Sequence, residues 1–303
     1  MTKISNVLVL GCTGLVGHGV SLYLVKKNFY VVGTANDKNI KSTNKNFKVY
    51  RNINLLNEKS FTKIESIIKK NKIQAVIHSA ALVPNKLNYQ SKNFFNDSVK
   101  INSLSFLNLY KISKKNNVNF LINISTPNVK NVDKIDLEIH HNFYIFTKYL
   151  AELFLSKLIN SKTNIVSLRI KSPYGYILDT KAVIPNFIKK IIGNQKLILK
   201  GNINKKQTFT FVEDIGSACE EIFKNNLTGV KNCFGTEQIT IRNLANLIEN
   251  VFSKKIKSKE FKNFRYASKF SYKKNINILK TSLNEGLLKI LKTNKNFEIF
   301  KIK

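Results

Sequence analysis

Tyr144 and Lys148, in the stretch YIFTK, stand four residues apart at the predicted start of a helix, which sets both side chains on one face a single turn apart. An ammonium beside a phenol favours the phenolate and draws its pKa down from about 10 toward a working range. Such a phenol exchanges protons with a substrate hydroxyl or carbonyl. Thr126, directly after a predicted strand, is placed to hold that substrate oxygen beside Tyr144. A second chemical signal lies near the amino terminus, where NVLVLGCTGLVGHGV carries glycines at positions 11, 14 and 17. Two parses compete there. One is a lipoprotein leader with Cys12 acylated; the other is a strand, Val7 to Leu10, turning through glycines into a helix whose amino end faces a pyrophosphate. A leader needs an apolar region of about 7 to 15 residues before its processing site. This chain offers only Val7 to Leu10, and its apolar character continues past Cys12, so the phosphate cradle is adopted, with Cys12 as a small residue in the turn.

These residues need a frame. Further buried strands are expected at Tyr30 to Thr34, Phe47 to Tyr50, Ala75 to His78, Phe120 to Ile124 and Ile165 to Leu168. Helices are expected at Phe61 to Lys70, Asn102 to Ser113 and Phe146 to Leu158. Short apolar strands alternating with helices imply right-handed crossovers and an α/β, doubly wound parallel Rossmann sheet. Residues 1–170 would form this domain, with a strand near 208–212 returning to it, and residues 171–303 a smaller lobe. The rhythm changes after Arg169, where Pro173 and Pro185 precede a helix at Val183 to Ile192 and a polar, hairpin-like stretch at Lys200 to Gln207. Helices at Ile241 to Phe252 and Leu283 to Leu291 complete the lobe. The cleft between lobe and sheet is the expected ligand site.

Composition narrows the function classes. With 303 residues, 43% hydrophobic, and only four prolines and twelve glycines, wholesale disorder is excluded. The net charge of +33 is spread as lysine through every segment, since only Arg51, Arg169, Arg242 and Arg265 are arginines, and reads as a solvated basic surface rather than a nucleic-acid site. The best nucleic-acid candidate is the lysine-dense stretch from Lys254 to Lys274, interleaved with Phe261, Phe264, Tyr266, Phe270 and Tyr272. Cys12, Cys219 and Cys233 show neither a disulfide framework nor metal-ligand spacing, which fits a reducing, cytoplasmic setting. No apolar run approaches the roughly 20 residues that cross a bilayer. His78 reads as a satisfied core histidine, and His140 and His141 as part of a solvated loop.

In order, GCTGLVG, AVIHSAAL, NISTPNV, YIFTK and FTFVEDI resemble the extended short-chain dehydrogenase/reductase family, the NAD-dependent epimerase/dehydratase group, from about residue 4 to Leu287. The resemblance implies that Gly11, Gly14 and Gly17 line a cofactor pyrophosphate, with backbone amides from Thr13, Leu15 and Val16. Ser79, Ala80 and Ala81 would pass under the cofactor ribose, and Asn54 and Leu55 would meet adenine. Thr126, Tyr144 and Lys148 fill the family's catalytic positions. The acid expected at the end of the second strand falls at Ala35, followed by Asn36 and Asp37. Asp37 would favour NAD and Lys38 the 2′-phosphate of NADP, so the implied cofactor is NAD or NADP, with NAD ahead.

Other positions depart from the family pattern. Lys100 replaces an asparagine before the helix after the fourth strand, Ser172 an asparagine that touches the sugar nucleotide, and Gln207 an arginine that grips its diphosphate. Pro127 and Asn128 occupy the places of the acid pair that the family's 4,6-dehydratases use to eliminate water. The implied activity is therefore an NAD(P)-dependent nucleotide-sugar epimerase or reductase. A homodimer would form through the helices at Asn102 to Ser113 and Phe146 to Leu158. The alternative is a non-catalytic NAD(P)-binding regulatory or RNA-associated protein of the same fold.

Overall fold

Strands that are apolar on both faces must be covered on both faces, and the architecture follows from that requirement. The computed structural model describes residues 3–36, 40–84, 91, 93–158, 162–178, 182–199, 201–252, 268–269, 276, 280–292 and 300–302. The first half runs β1 (Asn6–Leu10), α1 (Leu15–Lys26), β2 (Tyr30–Thr34), β3 (Ile40–Ser42), β4 (Phe47–Tyr50), α2 (Lys59–Lys70) and β5 (Ala75–His78). It continues through α3 (Phe94–Val99), a π-helical turn (Lys100–Leu104), α4 (Ser105–Lys115), β6 (Phe120–Ser125), a 3-10 segment (Pro127–Lys134), α5 (His140–Lys157) and β7 (Asn164–Ile170). Then come β8 (Pro173–Tyr174), α6 (Val183–Ile192), β9 (Lys206–Thr208), β10 (Thr210–Phe211), α7 (Val212–Lys224) and β11 (Gly229–Cys233). The chain ends with β12 (Glu237–Thr240), α8 (Ile241–Phe252), β13 (Ser268–Lys269), α9 (Leu283–Leu291) and β14 (Phe300–Ile302).

The main sheet has seven strands in the order β11-β7-β6-β5-β1-β2-β4, all parallel. Strand alternation divides its residues cleanly. Val7, Val9, Ile77, Ile122 and Val166 pack with α1 and α7 on one face. Leu8, Leu10, Val76 and Leu121 pack with α2, α4 and the start of β7 on the other, where α5 adds Ala151. Each fully buried aliphatic side chain contributes about 1.5–3 kcal/mol, so two such layers hold the strand ends firmly enough to carry a site. A third cluster, built by α6, α8, α9 and the short strands β8, β10 and β12, forms the core of the smaller lobe.

The six expected strands of the sheet are present. Three elements differ from expectation. The stretch Thr208 to Val212 does not return to the sheet as one strand: β9 pairs antiparallel with β12, β10 pairs with β8, and Val212 opens α7. Val212, Ile215, Cys219 and Ile222 repeat at helical spacing, and Glu213 and Asp214 occupy the first turn, where the helix dipole favours acids. The seventh strand is β11 instead, paired with β7. Helix α5 begins at His140 rather than Phe146, because Phe94 and Phe95 stack on His140 at 4.8 and 5.1 Å and Phe95 meets Phe143 at 4.6 Å. His140 and His141 are thus helical, not in a loop. Finally, the helix expected from Asn102 starts at Ser105, after the π-helical turn. Of the basic aromatic stretch Lys254 to Lys274, only Ser268 and Lys269 lie within the described residues; the rest lies outside them.

Candidate active site

The glycine turn is shaped by close backbone approach. Gly11 has φ of 75°, and a Cβ there would lie 2.8 Å from Ala80 Cα, so the turn after β1 rests directly on the segment after β5. A Cβ on Gly17 would overlap the Gly11 carbonyl oxygen and reach 2.6 Å from Ser79 Oγ. Ser79 fixes this floor by donating from its amide and hydroxyl to the Leu10 carbonyl at 3.2 and 2.5 Å. Gly14 caps α1 in an extended conformation, the first turn carries no acid, and the leading amides of a helix lack intrahelical partners. Thr13, Leu15 and Val16 are partly exposed around this opening. The cradle fits a pyrophosphate: amide donors and a positive dipole end are present at the start of α1. Cys12 points inward instead. It is fully buried against Gly33, and burial pushes its thiol up to about 12, which leaves it unreactive.

Around the cradle, the other cofactor candidates divide. Ala80 and Ala81 line the partly exposed segment after Ser79. Ala35, just past β2, is buried, and Asn36 beyond it is exposed; Asp37 and Lys38 lie outside the described residues. Asn54 accepts the Leu56 amide at 3.0 Å in a local turn, while Leu55 packs into the core.

Thr126 follows β6 directly and the Lys148 amine reaches the carboxyl end of the same strand, two strands from the glycine turn, while Tyr144 stands one helical turn before Lys148 on α5. Thr126 is half-buried and caps the 3-10 segment, accepting the Asn128 amide at 3.4 Å. Lys148 is buried, and its Nζ donates to the Ile124 carbonyl at 3.0 Å. Among the described residues no hydrogen bond joins Tyr144, Lys148 and Thr126 to one another. The expected acidic phenol is therefore absent. Burial pushes Tyr144 up to about 12, and burial pulls Lys148 down to about 8 against the opposing charge of Glu152. Burial alone moves the phenol, and the amine points to the strand end. His78 is a core residue but only half satisfied: fully buried, it shares a hydrogen bond with Ser105 Oγ at 2.8 Å through Nε2, its Nδ1 has no hydrogen-bond partner among the described residues, and it is pushed down to about 3.

Ser172 and Gln207 come from other elements. Ser172 follows β7 with φ of 43°, its carbonyl taken by the Thr210 amide at 3.3 Å. Gln207 lies in β9, opposite Ile239 of β12 in the smaller lobe. Neither hydrogen-bonds to Tyr144, Lys148 or Thr126 among the described residues. Lys100 opens the π-helical turn, and Asn102 stands two residues on within it. Its buried amide holds both backbone groups of Leu82, at 2.9 and 3.2 Å, and donates to Thr147 Oγ1 at 3.0 Å, tying the segment after β5 to α5. Sequence reading also missed Glu152 and its partners Ser125, Ser167 and Arg169. The available signal was an acid four residues after Lys148 on the buried face of α5.

A parallel sheet wound on both faces, with a glycine turn after its first strand, defines a Rossmann-type dinucleotide-binding fold. Residues 7–233 match the NAD dependent epimerase/dehydratase family, and the chain belongs to that family. It is 25% identical over 280 residues to a dTDP-D-glucose 4,6-dehydratase of Dictyostelium discoideum, covering 82% of this chain and 62% of that protein's length. UDP-glucose 4-epimerase of Thermotoga maritima, solved with UDP-glucose, has a similar fold, with a TM-score of 0.71 at 20% identity over 94% of this chain and 97% of the other. The enzyme WbmF of Bordetella bronchiseptica, solved with NADH, gives 0.73 at 17% identity over 95% and 90%. Among the described residues no helix is long and apolar enough to cross a membrane, and no group of three or more His, Cys, Asp or Glu is placed to hold a metal.

Proposed function

We propose that the chain is an NAD(P)-dependent nucleotide-sugar epimerase or reductase with Tyr144 as its proton carrier. The observation that supports this reading is the Lys148 amine at the carboxyl end of β6, beside the strand-end Thr126 and one helical turn after Tyr144, on the same sheet edge as the glycine cradle after β1. A bound nicotinamide dinucleotide would supply the hydride exchanged with a substrate carbon. Gly11, Gly14 and Gly17 would admit its pyrophosphate, and Ala80 and Ala81 its ribose. Tyr144, kept protonated by burial, suits donation of a proton to a substrate oxygen as that oxygen gains charge. Lys148 has three donors, so its amine can keep the Ile124 carbonyl and still direct another N–H toward a phenolate as it forms. Thr126 would orient the substrate oxygen.

An epimerase returns the hydride to the opposite face of its keto intermediate, whereas a reductase releases product. Pro127 and Asn128, at the start of the 3-10 segment, leave no acid pair beside Thr126, which argues against water elimination despite the similarity to a dehydratase. The buried Ala35 offers no carboxylate to an adenosine ribose, so NAD and NADP both stay within the proposal. Leu104 and Leu153 are exposed on the helical layer around α5, and this favours a homodimer seam there. Three free, buried cysteines suit a cytoplasmic protein.

Tyr144→Phe tests the proposal. The variant is expected to bind NADH or NADPH as the wild type does, while turnover of UDP-glucose or UDP-N-acetylglucosamine falls about a hundredfold or more. Undiminished activity would instead mark a protein that binds dinucleotide without Tyr-based catalysis. Net consumption of NADPH during turnover would select the reductase, and turnover without net consumption the epimerase.

A further inference from the structure

Beneath the catalytic trio lies a buried acid that the proposed chemistry leaves unused. Glu152 is 7% exposed, one helical turn beyond Lys148 on α5. Its Oε1 accepts from Ser125 Oγ at 2.6 Å, Ser167 Oγ at 2.9 Å and Arg169 Nε at 3.0 Å. Its Oε2 accepts from Arg169 Nε at 3.2 Å and Nη2 at 2.5 Å. These partners belong to β6 and β7, where Ser125 pairs with Arg169 and Asn123 with Ser167. Lys148 donates to Ile124, the residue before Ser125, and Thr126 follows directly. Three successive residues at the end of β6 therefore receive the lysine, receive the glutamate and carry the candidate hydroxyl.

The choice of arginine here is informative. In a chain with 51 basic residues only four are arginines, yet one of them stands where a carboxylate needs a planar fork. A buried ion pair is a weak source of stability, because desolvation offsets most of the attraction. Its placement next to Lys148 points to a task other than stability.

We infer that Glu152 is a positioning residue for Lys148: pinned by Ser125, Ser167 and Arg169, its carboxylate holds the neighbouring amine in the ammonium form at the strand end. This rests on the reading that Tyr144 and Lys148 carry the chemistry. The titratable groups that interact with Lys148 are His78 from β5 and Glu152 on its own helix, with Arg169 from β7 paired to Glu152 and Tyr144 one turn earlier on α5. His78 and Tyr144 are neutral near pH 7, since burial moves one down and the other up. Arg169 opposes an ammonium. Glu152 alone supplies negative charge against the desolvation that Lys148 suffers.

The test is the titration of Lys148 itself, followed by carbon NMR of lysine labelled at Cε, with its resonance assigned by Lys148→Arg. In the wild type the midpoint should lie near about 8. Glu152→Gln should lower it by about one unit, and Glu152→Asp, which keeps the charge, should restore most of the shift. Glu152→Gln strands the Arg169 guanidinium, so Glu152→Gln with Arg169→Met is measured beside it, and folding of each variant is checked by circular dichroism. A midpoint lower in folded Glu152→Gln than in the wild type, and lower in the double variant than in Arg169→Met alone, supports the positioning role; an unchanged midpoint in either comparison overturns it. Full activity of Tyr144→Phe would remove the catalytic reading separately, whatever the lysine titration shows.

Discussion

At the scale of single residues, Lys148 has a consequence for stability that reports its burial independently of any reaction. Its folded-state pKa is pulled from 10.5 down to about 8. Between those values the unfolded chain binds more protons than the folded one, so this contribution to stability rises with pH across the window and is constant below about 8. Lys148→Met lacks it. The pH-dependent part of the variant's stability difference from wild type should be largest below about 8, at about 3 kcal/mol, and vanish by about 10.5. Paired thermal melts measure this directly, because the buried tyrosines and thiols titrate alike in both proteins and cancel; a difference that stays flat with pH would place the amine in solvent. The helical spacing of Tyr144 and Lys148 and the place of Thr126 after a strand were legible in the sequence. Their electrostatics were not, since the desolvation that dominates both pKa values depends on residues distant in sequence. Glu152 escaped for the same reason, as its partners lie 15 to 27 positions away.

At the scale of elements, the glycine turn makes a sharper claim than its spacing alone. Its three glycines look equivalent in sequence, yet the structure separates them. Gly17→Ala would drive a methyl group into the Gly11 carbonyl and Ser79, whereas at Gly14 the nearest atom to an added Cβ is the Gly11 carbonyl oxygen at 3.4 Å. Overpacking of the first kind costs about 1–3 kcal/mol. Gly17→Ala should therefore lower the melting temperature and abolish NADH binding, while Gly14→Ala should fold within about 1 kcal/mol of wild type. Equal losses at both sites would show that the turn is not held as described. The strands were legible because short, continuous apolar runs between turn residues have few other uses in a wound sheet. Element boundaries were less so. The early start of α5 depends on Phe94 and Phe95 reaching His140 and Phe143, and the division of Thr208 to Val212 depends on pairing with β8 and β12. Local propensity contains neither fact.

At the scale of the whole molecule, the open question is what keeps the smaller lobe seated against the sheet edge. Glu213, at the start of α7, is 5% exposed and gathers three partners from different parts of the chain. Lys26 of α1 donates to it at 2.5 Å, Tyr176 between β8 and α6 at 2.7 Å, and Lys289 of α9 at 3.4 Å. Although burial opposes ionisation, the hydrogen bonds and both lysines together hold its carboxyl below the usual range. A depressed acid stabilises the fold above its unfolded pKa, and that contribution is lost as pH falls through the folded value. Removing one member of a fully buried pair costs about 3–5 kcal/mol. Lys26 and Lys289 both reach solvent, at 38% and 42% side-chain exposure, so Glu213→Gln should cost less, about 1–2 kcal/mol. The location of the loss matters more than its size. Since the junction joins α1 of the sheet domain to α9 of the lobe, amide hydrogen exchange in Leu283 to Leu291 should quicken in the variant while β1 and β5 stay protected. A uniform rise across both regions would mean that Glu213 supports the fold globally and that the lobe is held by its apolar contacts alone.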